Sequence, residues 1–340
     1  MTQIADTISR AARAVVQFRG DHEELAAVMR ASWVDGPGAP YLYTADLLAD
    51  WLRYPGAEVA PAPAIYTDEG LVAFAAGLPR TVEVGGANRR ILISTLLTVA
   101  PAQKAAGYGI VVWSELMRRA AAAGFDGVIN YCADGEAMHR MIETGCRLLD
   151  LPLVRVRSFS YLVGRVSPTG PTGPTGRAGA AGARGGERPS ARRLVETAGA
   201  EAARHRDEGA ARLWRVWSPA EAEWQLSRLG SVAVGAGDAV LTANVVPVAD
   251  EARSRYLVVD DVLWGAAGDP DRSRLVGDLL AQASGEGANY AVLPVMGYAD
   301  VRPFLAADMV PSPHTMHAYL SLWADPDVVQ PVERYYLDVI

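Results

Sequence analysis

Residues 95–110 restrict the fold of this chain more than any other stretch. An apolar run rich in β-branched residues covers positions 91–99 and stops at Pro101, and a helical pattern follows shortly afterwards. This order predicts a strand, a short turn and a helix. Gly107 and Gly109 carry no side chain, so backbone N–H groups and the positive end of the helix dipole can approach an anion. The sequence therefore predicts a turn that binds phosphate or pyrophosphate.

The residues of this turn also form a recognisable motif. Val99-x-Pro101-x-x-Lys104-x-x-Gly107-x-Gly109 resembles the acyl-CoA signature of the GCN5-related N-acetyltransferases, V-x-P-x-x-[Arg/Gln]-x-x-G-x-G/A. Lys104 departs from that pattern, because it keeps a positive charge but loses planar, bidentate hydrogen bonding. The resemblance implies that acetyl-CoA, or another acyl-CoA, is the co-substrate. The residues it assigns to the cofactor are Leu97, Thr98, Val99, Lys104, Ala105, Ala106, Gly107, Tyr108, Gly109 and Ile110.

Length and composition narrow the class of protein. A chain of 340 residues suits two domains of ordinary size, and half of its residues are hydrophobic. The formal charge of -7 argues against a nucleic-acid partner, because such partners favour a basic face. Two cysteines suggest neither a disulfide framework nor a zinc cluster, and no apolar run reaches the length of a membrane span. We therefore expect a cytoplasmic protein that uses no metal and does not bind a membrane.

The order of elements supports the resemblance over residues 15–165. The patterns predict a strand, two helices, three antiparallel strands, a third helix, a strand, a fourth helix and two further strands at 151–156 and 158–163. This is the order that the resemblance implies. The predicted fold class is thus α/β with a mixed sheet, and residues 1–166 are predicted to form a GCN5-related domain that carries the acyl-CoA motif.

The composition changes abruptly after this half. Three Pro-Thr-Gly triplets open a segment in which glycine recurs at every third position through Gly185. So few collagen-like triplets predict a flexible Gly/Pro-rich linker, which we place at residues 167–208. Residues 209–340 repeat the first half in outline, but positions 264–272 carry two acids and a proline where a phosphate turn would lie. We therefore expect two tandem domains, the second with a degenerate cofactor site.

The catalytic groups are harder to assign. The resemblance implies a tyrosine that protonates the leaving thiolate, four residues before a Gly-aromatic pair, but Met141 occupies that position and cannot donate a proton. The substitutes within reach by sequence are Tyr131, Cys132, Asp134 and His139, of which Tyr131 and Cys132 end the strand that faces the cofactor. No glutamate base is evident in the motif strand, so solvent can take the proton of the amine.

The acceptor pocket should lie in the loop and helices before the first hairpin, where Tyr41, Tyr43 and Asp46 supply aromatic walls and a carboxylate. The leading hypothesis is an acyl-CoA-dependent N-acetyltransferase, whose acceptor is a small-molecule amine or a carrier-bound substrate, as in secondary metabolism. The alternative is a non-catalytic acyl-CoA-binding or scaffold protein, and a nucleotide-binding protein is a weaker third. The sequence gives no acyl length and no oligomeric state.

Overall fold

A computed structural model describes residues 14–33, 41–133, 137–166, 186–209, 212–250, 252–323 and 325–338. The chain divides into two compact units. Unit 1 comprises Met1–Arg157 and Met316–Pro331 together with Ile340, and unit 2 comprises Ser158–Thr315 and Val332–Val339. Each unit is described by itself below.

Unit 1 is a mixed sheet with helices on its faces. Its strands follow the order β1-β2-β3-β4-β5-β12, in which only β4 and β5 run parallel. The elements are β1 (Val15–Gln17), α1 (His22–Trp33), α2 (Ala45–Trp51), β2 (Pro63–Thr67), β3 (Gly70–Val84), β4 (Ala87–Val99), α3 (Tyr108–Ala122), β5 (Gly127–Cys132), α4 (Ala137–Leu148) and the second part of β12 (Val310–Leu322).

The helix that follows the motif strand is fixed by an apolar stripe. Val112, Leu116 and Ala120 recur at four-residue spacing on α3, and each is fully buried. They belong to a core cluster that also contains Leu92 of β4 and Val128 of β5. Because α3 is held against both strands, its N-terminus lies at the end of β4, where the chain turns.

Unit 2 also contains parallel and antiparallel strand pairs. Its strands follow the order β8-β9-β10-β11-β6, in which only β10 and β11 run parallel, and β13 pairs with β7. The elements are β6 (Val154–Arg165), α5 (Ala191–Asp207), β7 (Arg212–Val216), α6 (Pro219–Ser227), β8 (Ser231–Ala236), β9 (Ala239–Pro247), β10 (Arg255–Leu263), α7 (Asp269–Gly285), β11 (Tyr290–Pro294), α8 (Arg302–Leu305), the first part of β12 and β13 (Arg334–Tyr336).

The predicted flexible linker at 167–208 is wrong in its second part, because residues 191–207 form α5. Ser190 caps this helix by accepting a hydrogen bond from the Arg193 N–H at 3.2 Å. Leu194, Ala198 and Ala202 are buried at helical spacing. The glycine triplets at 167–185 lie outside the described residues.

The predicted boundaries between the halves also need correction. Two strands were expected at 151–156 and 158–163, whereas one continuous strand, β6, begins at Val154 and runs through the second, where it pairs with β11 in unit 2. The strand beside β5 in unit 1 is instead β12, with His317 opposite Cys132. The predicted domains 1–166 and 209–340 therefore do not coincide with the compact units.

Two features are absent from the described residues. No helix among them is long and apolar enough to cross a membrane. Nor do three or more His, Cys, Asp or Glu side chains in the described ranges come together in an arrangement that could hold a metal ion.

Candidate active site

The two parallel strands of unit 1 separate at their carboxyl ends. Their pairing covers Ile91↔Gly127 to Ile93↔Ile129, and β4 then continues to Val99 without a further pair to β5 among the described residues. Beyond Ile129, β5 pairs with β12 on its other side. We call this unpaired interval between the two strand ends the cleft. Ligands commonly bind at the carboxyl ends of adjacent parallel strands in α/β sheets.

A backbone irregularity lies beside this cleft. Leu96 adopts a left-handed conformation with φ of 55°, and the register of β3 against β4 shifts between Phe74 and Ala76. A left-handed conformation costs a leucine roughly 1–2 kcal/mol, and a β-bulge redirects the backbone groups of its strand. Such strain concentrates at functional sites, so the bulge makes the end of β4 a candidate ligand site.

The predicted strand, turn and helix are all present. A 3₁₀ turn at Pro101–Ala106 leads to Gly107, whose φ of 75° favours glycine, and α3 begins at Tyr108. No side chain of the described residues caps α3, whereas Thr44 caps α2. A Cβ on Gly107 would meet nothing within 4 Å. The first N–H groups of α3 are therefore available to an anion in open space.

The side chain of Lys104 contacts α1. Its side chain is exposed, and its Nζ donates to the carbonyl oxygen of Ser32 at 3.3 Å, near the C-terminus of α1. The hydroxyl of Ser32 in turn donates to the carbonyl of Val99 at 2.8 Å. A cation at a helix C-terminus is favourable, so Lys104 must leave this position in order to reach a phosphate.

The candidate acids on β5 lie on opposite faces of the sheet, because successive strand residues alternate. Cys132 is only 1% exposed and packs in the core with Val128, whereas Tyr131 is half-buried. The structure therefore favours Tyr131 over Cys132 as a group that can reach a substrate. Asp134 lies outside the described residues.

His139 meets a partner that the sequence did not suggest. Its ring stacks on Tyr319 of β12 with centroids 5.0 Å apart, and its Nε2 lies 3.7 Å from Glu143. Tyr319 stands opposite Asn130 in the register of β12 and β5, on the face where α4 packs. A tyrosine thus lies beside the predicted histidine, although the two are remote in sequence.

Asn130 is a second polar residue that sequence reasoning missed. Its Oδ1 accepts a hydrogen bond from Trp113 Nε1 at 3.0 Å, and an indole N–H can only donate, which fixes the orientation of the amide. Its Nδ2 is buried and has no hydrogen-bond partner among the described residues. A buried donor without a partner costs about 1–3 kcal/mol. In the sequence, this residue could have been recognised as an amide side chain within the apolar run 127–132.

Met141 lies close to the glycine turn. A Cβ on Gly109 would stand 3.5 Å from the Met141 sulfur and 3.4 Å from Val99 Cγ2, which are ordinary contacts. The residue at the position of the family's tyrosine is therefore next to the predicted cofactor turn, and it is a thioether.

The predicted acceptor residues separate into two groups. Tyr41 and Tyr43 pack edge to face with each other and with Trp51, with centroids 5.9–6.3 Å apart. The pKa of Tyr43 is raised, mainly because its side chain is buried and to a smaller extent because Tyr41 lies nearby. Asp46 is exposed in the first turn of α2, where a carboxylate favours the helix N-terminus. The two tyrosines form an aromatic cluster, which Asp46 does not join.

Comparisons with known proteins bear on this arrangement. The sequence matches no protein-family model and no curated protein. Among solved structures, Saccharomyces cerevisiae N-myristoyltransferase with bound myristoyl-CoA aligns at a TM-score of 0.67 and 13% identity, covering 91% of this chain and 78% of that one. The same enzyme with bound myristoyl-CoA and inhibitors aligns at a TM-score of 0.68 and 12% identity, covering 96% of this chain and 86% of that one. A GCN5-related N-acetyltransferase from Kribbella flavida aligns at a TM-score of 0.54 and 15% identity, covering 91% of this chain and 71% of that one.

This chain has the GCN5-related N-acetyltransferase fold. At these identities the likeness concerns the fold, and it agrees with the strand separation, the bulge and the glycine turn of unit 1. The fold class predicted from the motif and from the order of elements is thereby confirmed.

Proposed function

We propose that the protein is an acyl-CoA-dependent acyltransferase that transfers an acetyl group to the amine of a small molecule or of a carrier-bound substrate. The observation that carries this proposal is the cleft between β4 and β5 beside the uncapped N-terminus of α3. The N-myristoyltransferase structures with the same fold contain myristoyl-CoA, which supports an acyl-CoA as the co-substrate.

The cofactor would bind in two parts. The pyrophosphate would accept hydrogen bonds from the N–H groups of Tyr108, Gly109 and Ile110, because the helix supplies no acceptor to the first N–H groups. The acyl thioester would enter between the strand ends, where residues 97–99 of β4 offer backbone groups to its carbonyl. Lys104 would add its charge from the rim.

The reaction would proceed by direct attack. The neutral amine nitrogen attacks the thioester carbonyl carbon, the C–N bond forms and the C–S bond breaks. The amine loses a proton to solvent, and the thiolate of CoA takes up a proton. Tyr131, which is half-buried at the end of β5, is the proposed donor of that proton, and His139 with its neighbour Tyr319 is the competing donor on the opposite face.

Asn130 has a proposed role in binding. Its Nδ2 lacks a partner in the free protein, so the desolvation cost is already present before a ligand arrives. A carbonyl of acyl-CoA in the neighbouring cleft would satisfy this donor after a small movement of the side chains around it. The hydrogen bond would then strengthen cofactor binding without a new desolvation cost at Asn130.

A non-catalytic acyl-CoA-binding protein is the second candidate, and a specific observation favours it. Met141 stands next to Gly109 at the position of the usual acid, and a thioether cannot donate a proton. Both candidates predict cofactor binding, but only the enzyme predicts release of free CoA in the presence of an acceptor.

The experiment is a mass-spectrometric screen of amines with acetyl-CoA and with longer acyl-CoAs, in which product mass and free thiol are read in parallel. Acyltransferase activity predicts an adduct and an equal amount of thiol. Tight acyl-CoA binding without either product would favour the binding protein instead.

A further inference from the structure

Unit 2 contains a cavity of about 390 Å³. It lies where β10 ends and where the chain continues past β11, and α5 closes one side of it. Its lining includes Glu201, Arg204, Arg272, Asp300 and Arg334. Binding sites for small molecules span roughly 300–1,000 Å³, so the volume suits a small ligand.

The backbone around this cavity differs from the glycine turn of unit 1. Glu201 Oε1 accepts a hydrogen bond from the N–H of Gly265 at 2.8 Å, and the carboxylate of Asp238 accepts from the N–H of Ala266 at 3.0 Å. Pro270 lies in the first turn of α7 and has no N–H to offer. The protein's own carboxylates thus occupy N–H groups that a pyrophosphate would need, so the cavity is unsuited to acyl-CoA.

The cavity is instead surrounded by guanidinium groups. Arg204, Arg272 and Arg334 line it, and Arg302 binds Asp300 from outside the lining. The lining itself holds these three guanidinium groups and three carboxylates, of Glu201, Glu208 and Asp300. The pKa of Asp300 is lowered to about 2, mainly by the hydrogen bond from Arg302 and to a smaller extent by the charge of Arg272.

Arg204 and Arg334 use only part of their N–H groups in contacts with the described residues. Arg334 donates through Nη1 to the carbonyl of Gly297, and its closest carboxylate oxygen, on Glu208, is 3.9 Å away. Its Nε is buried without a hydrogen-bond partner among the described residues. Arg204 donates to Gly265 and to Glu201. Each guanidinium has five N–H donors, so both side chains, which line the cavity, retain donors that these bonds do not use.

We propose that this cavity is a second ligand site, which binds a small anion with a carboxylate or phosphate group through Arg204 and Arg334. A planar guanidinium matches either group in bidentate geometry, which sets an anion apart from a neutral or cationic ligand of the same size. The site is independent of acyl-CoA binding in unit 1.

The test uses calorimetry on the full chain with three probes: inorganic phosphate, succinate and methylammonium. We expect phosphate or succinate to bind, and the one that binds identifies the anionic group. Arg334→Gln should weaken that binding about tenfold or more, since it removes a charge-assisted contact. This variant leaves no buried carboxylate unpaired, because the Glu208 side chain is 45% exposed.

Two control variants locate the site. Arg192 lies in α5, as Arg204 does, but its side chain is 86% exposed and paired with Glu196. Arg192→Gln should therefore leave anion binding unchanged. Gly109→Glu blocks the glycine turn of unit 1 and should also leave anion binding in unit 2 unchanged. The proposal is overturned if neither anion binds, if methylammonium binds instead, or if binding survives Arg334→Gln but disappears in Gly109→Glu.

Discussion

The ionisation of Asp260 in unit 2 gives a prediction that can be worked from the structure. The Asp260 side chain is 6% exposed, and it accepts hydrogen bonds from Arg228 and, at 3.0 Å, from Gln225 Nε2. Burial raises the pKa of Asp260 from 3.8 to about 6, against the opposing effect of the Arg228 guanidinium. The folded state therefore binds a proton more readily than the unfolded state at this carboxyl.

The sign of the effect on stability follows from this difference. Since the folded pKa lies above the unfolded one, the free energy of unfolding rises as the pH falls through about 6 toward 3.8. One pKa unit corresponds to about 1.36 kcal/mol. Between pH 7 and pH 5, Asp260 alone should add on the order of 1 kcal/mol to the stability of unit 2.

Asp260→Asn isolates this contribution, because the amide keeps the shape of the side chain but does not titrate. Urea unfolding of the wild type and the variant at pH 5, 6 and 7 gives the free energy of unfolding of each. The difference between them should change by on the order of 1 kcal/mol over this range, while titrating groups distant from Asp260 cancel. A difference that is constant with pH would refute the raised pKa.

Three further predictions concern unit 1. Lys104→Ala should weaken acyl-CoA binding by about 1 kcal/mol in calorimetry, because Lys104 is exposed and already bound to Ser32; a loss of more than a hundredfold would contradict this reason. Met141→Tyr should leave the turnover rate within about tenfold, since a CoA thiolate with a pKa near 8.5 departs readily without an acid; a larger gain would show that protonation limits the rate. Tyr131→Phe should slow turnover more than His139→Ala does, and the reverse order would move the acid to the face of α4.

The glycine turn was predictable because its signals are local. The β-branched run, Pro101 and the two glycines act within a few residues of each other, so the sequence alone indicated the strand, the turn and the helix that the structure contains. The buried stripe of α3 was visible for the same reason. Local periodicity determines local structure wherever one face of the element is buried.

Pairings between distant segments could not be predicted in this way. β6 and β12 are both regular strands, and the alternation of a strand does not say which neighbour it will join. We assigned the strand at 158–163 to the first half without giving it a neighbour, and the structure places 317–322 beside β5. The contact of Tyr319 with His139 depends on that pairing, so it was missed as well.

The helix α5 was missed for a different reason. The glycine triplets before it and several arginines within it give residues 167–208 the composition of a linker, and mean composition hides the few buried positions. Leu194, Ala198 and Ala202 are enough to hold the helix against unit 2 once Ser190 caps it. Periodicity tested over 191–207 alone would have indicated the helix.

The central claim is that the glycine turn at the N-terminus of α3 binds the pyrophosphate of acyl-CoA, and titration calorimetry with Gly109→Glu tests it most directly. A glutamate in the first turn of a helix is favourable by about 0.3–1 kcal/mol, so the variant should fold while its carboxylate competes for the anion position. Gly109→Gln is the matched control, because it adds nearly the same volume without charge. We predict that acetyl-CoA binds to the wild type, binds more weakly to Gly109→Gln and does not bind detectably to Gly109→Glu. Equal affinity for acetyl-CoA in the wild type and in a folded Gly109→Glu variant would contradict the claim.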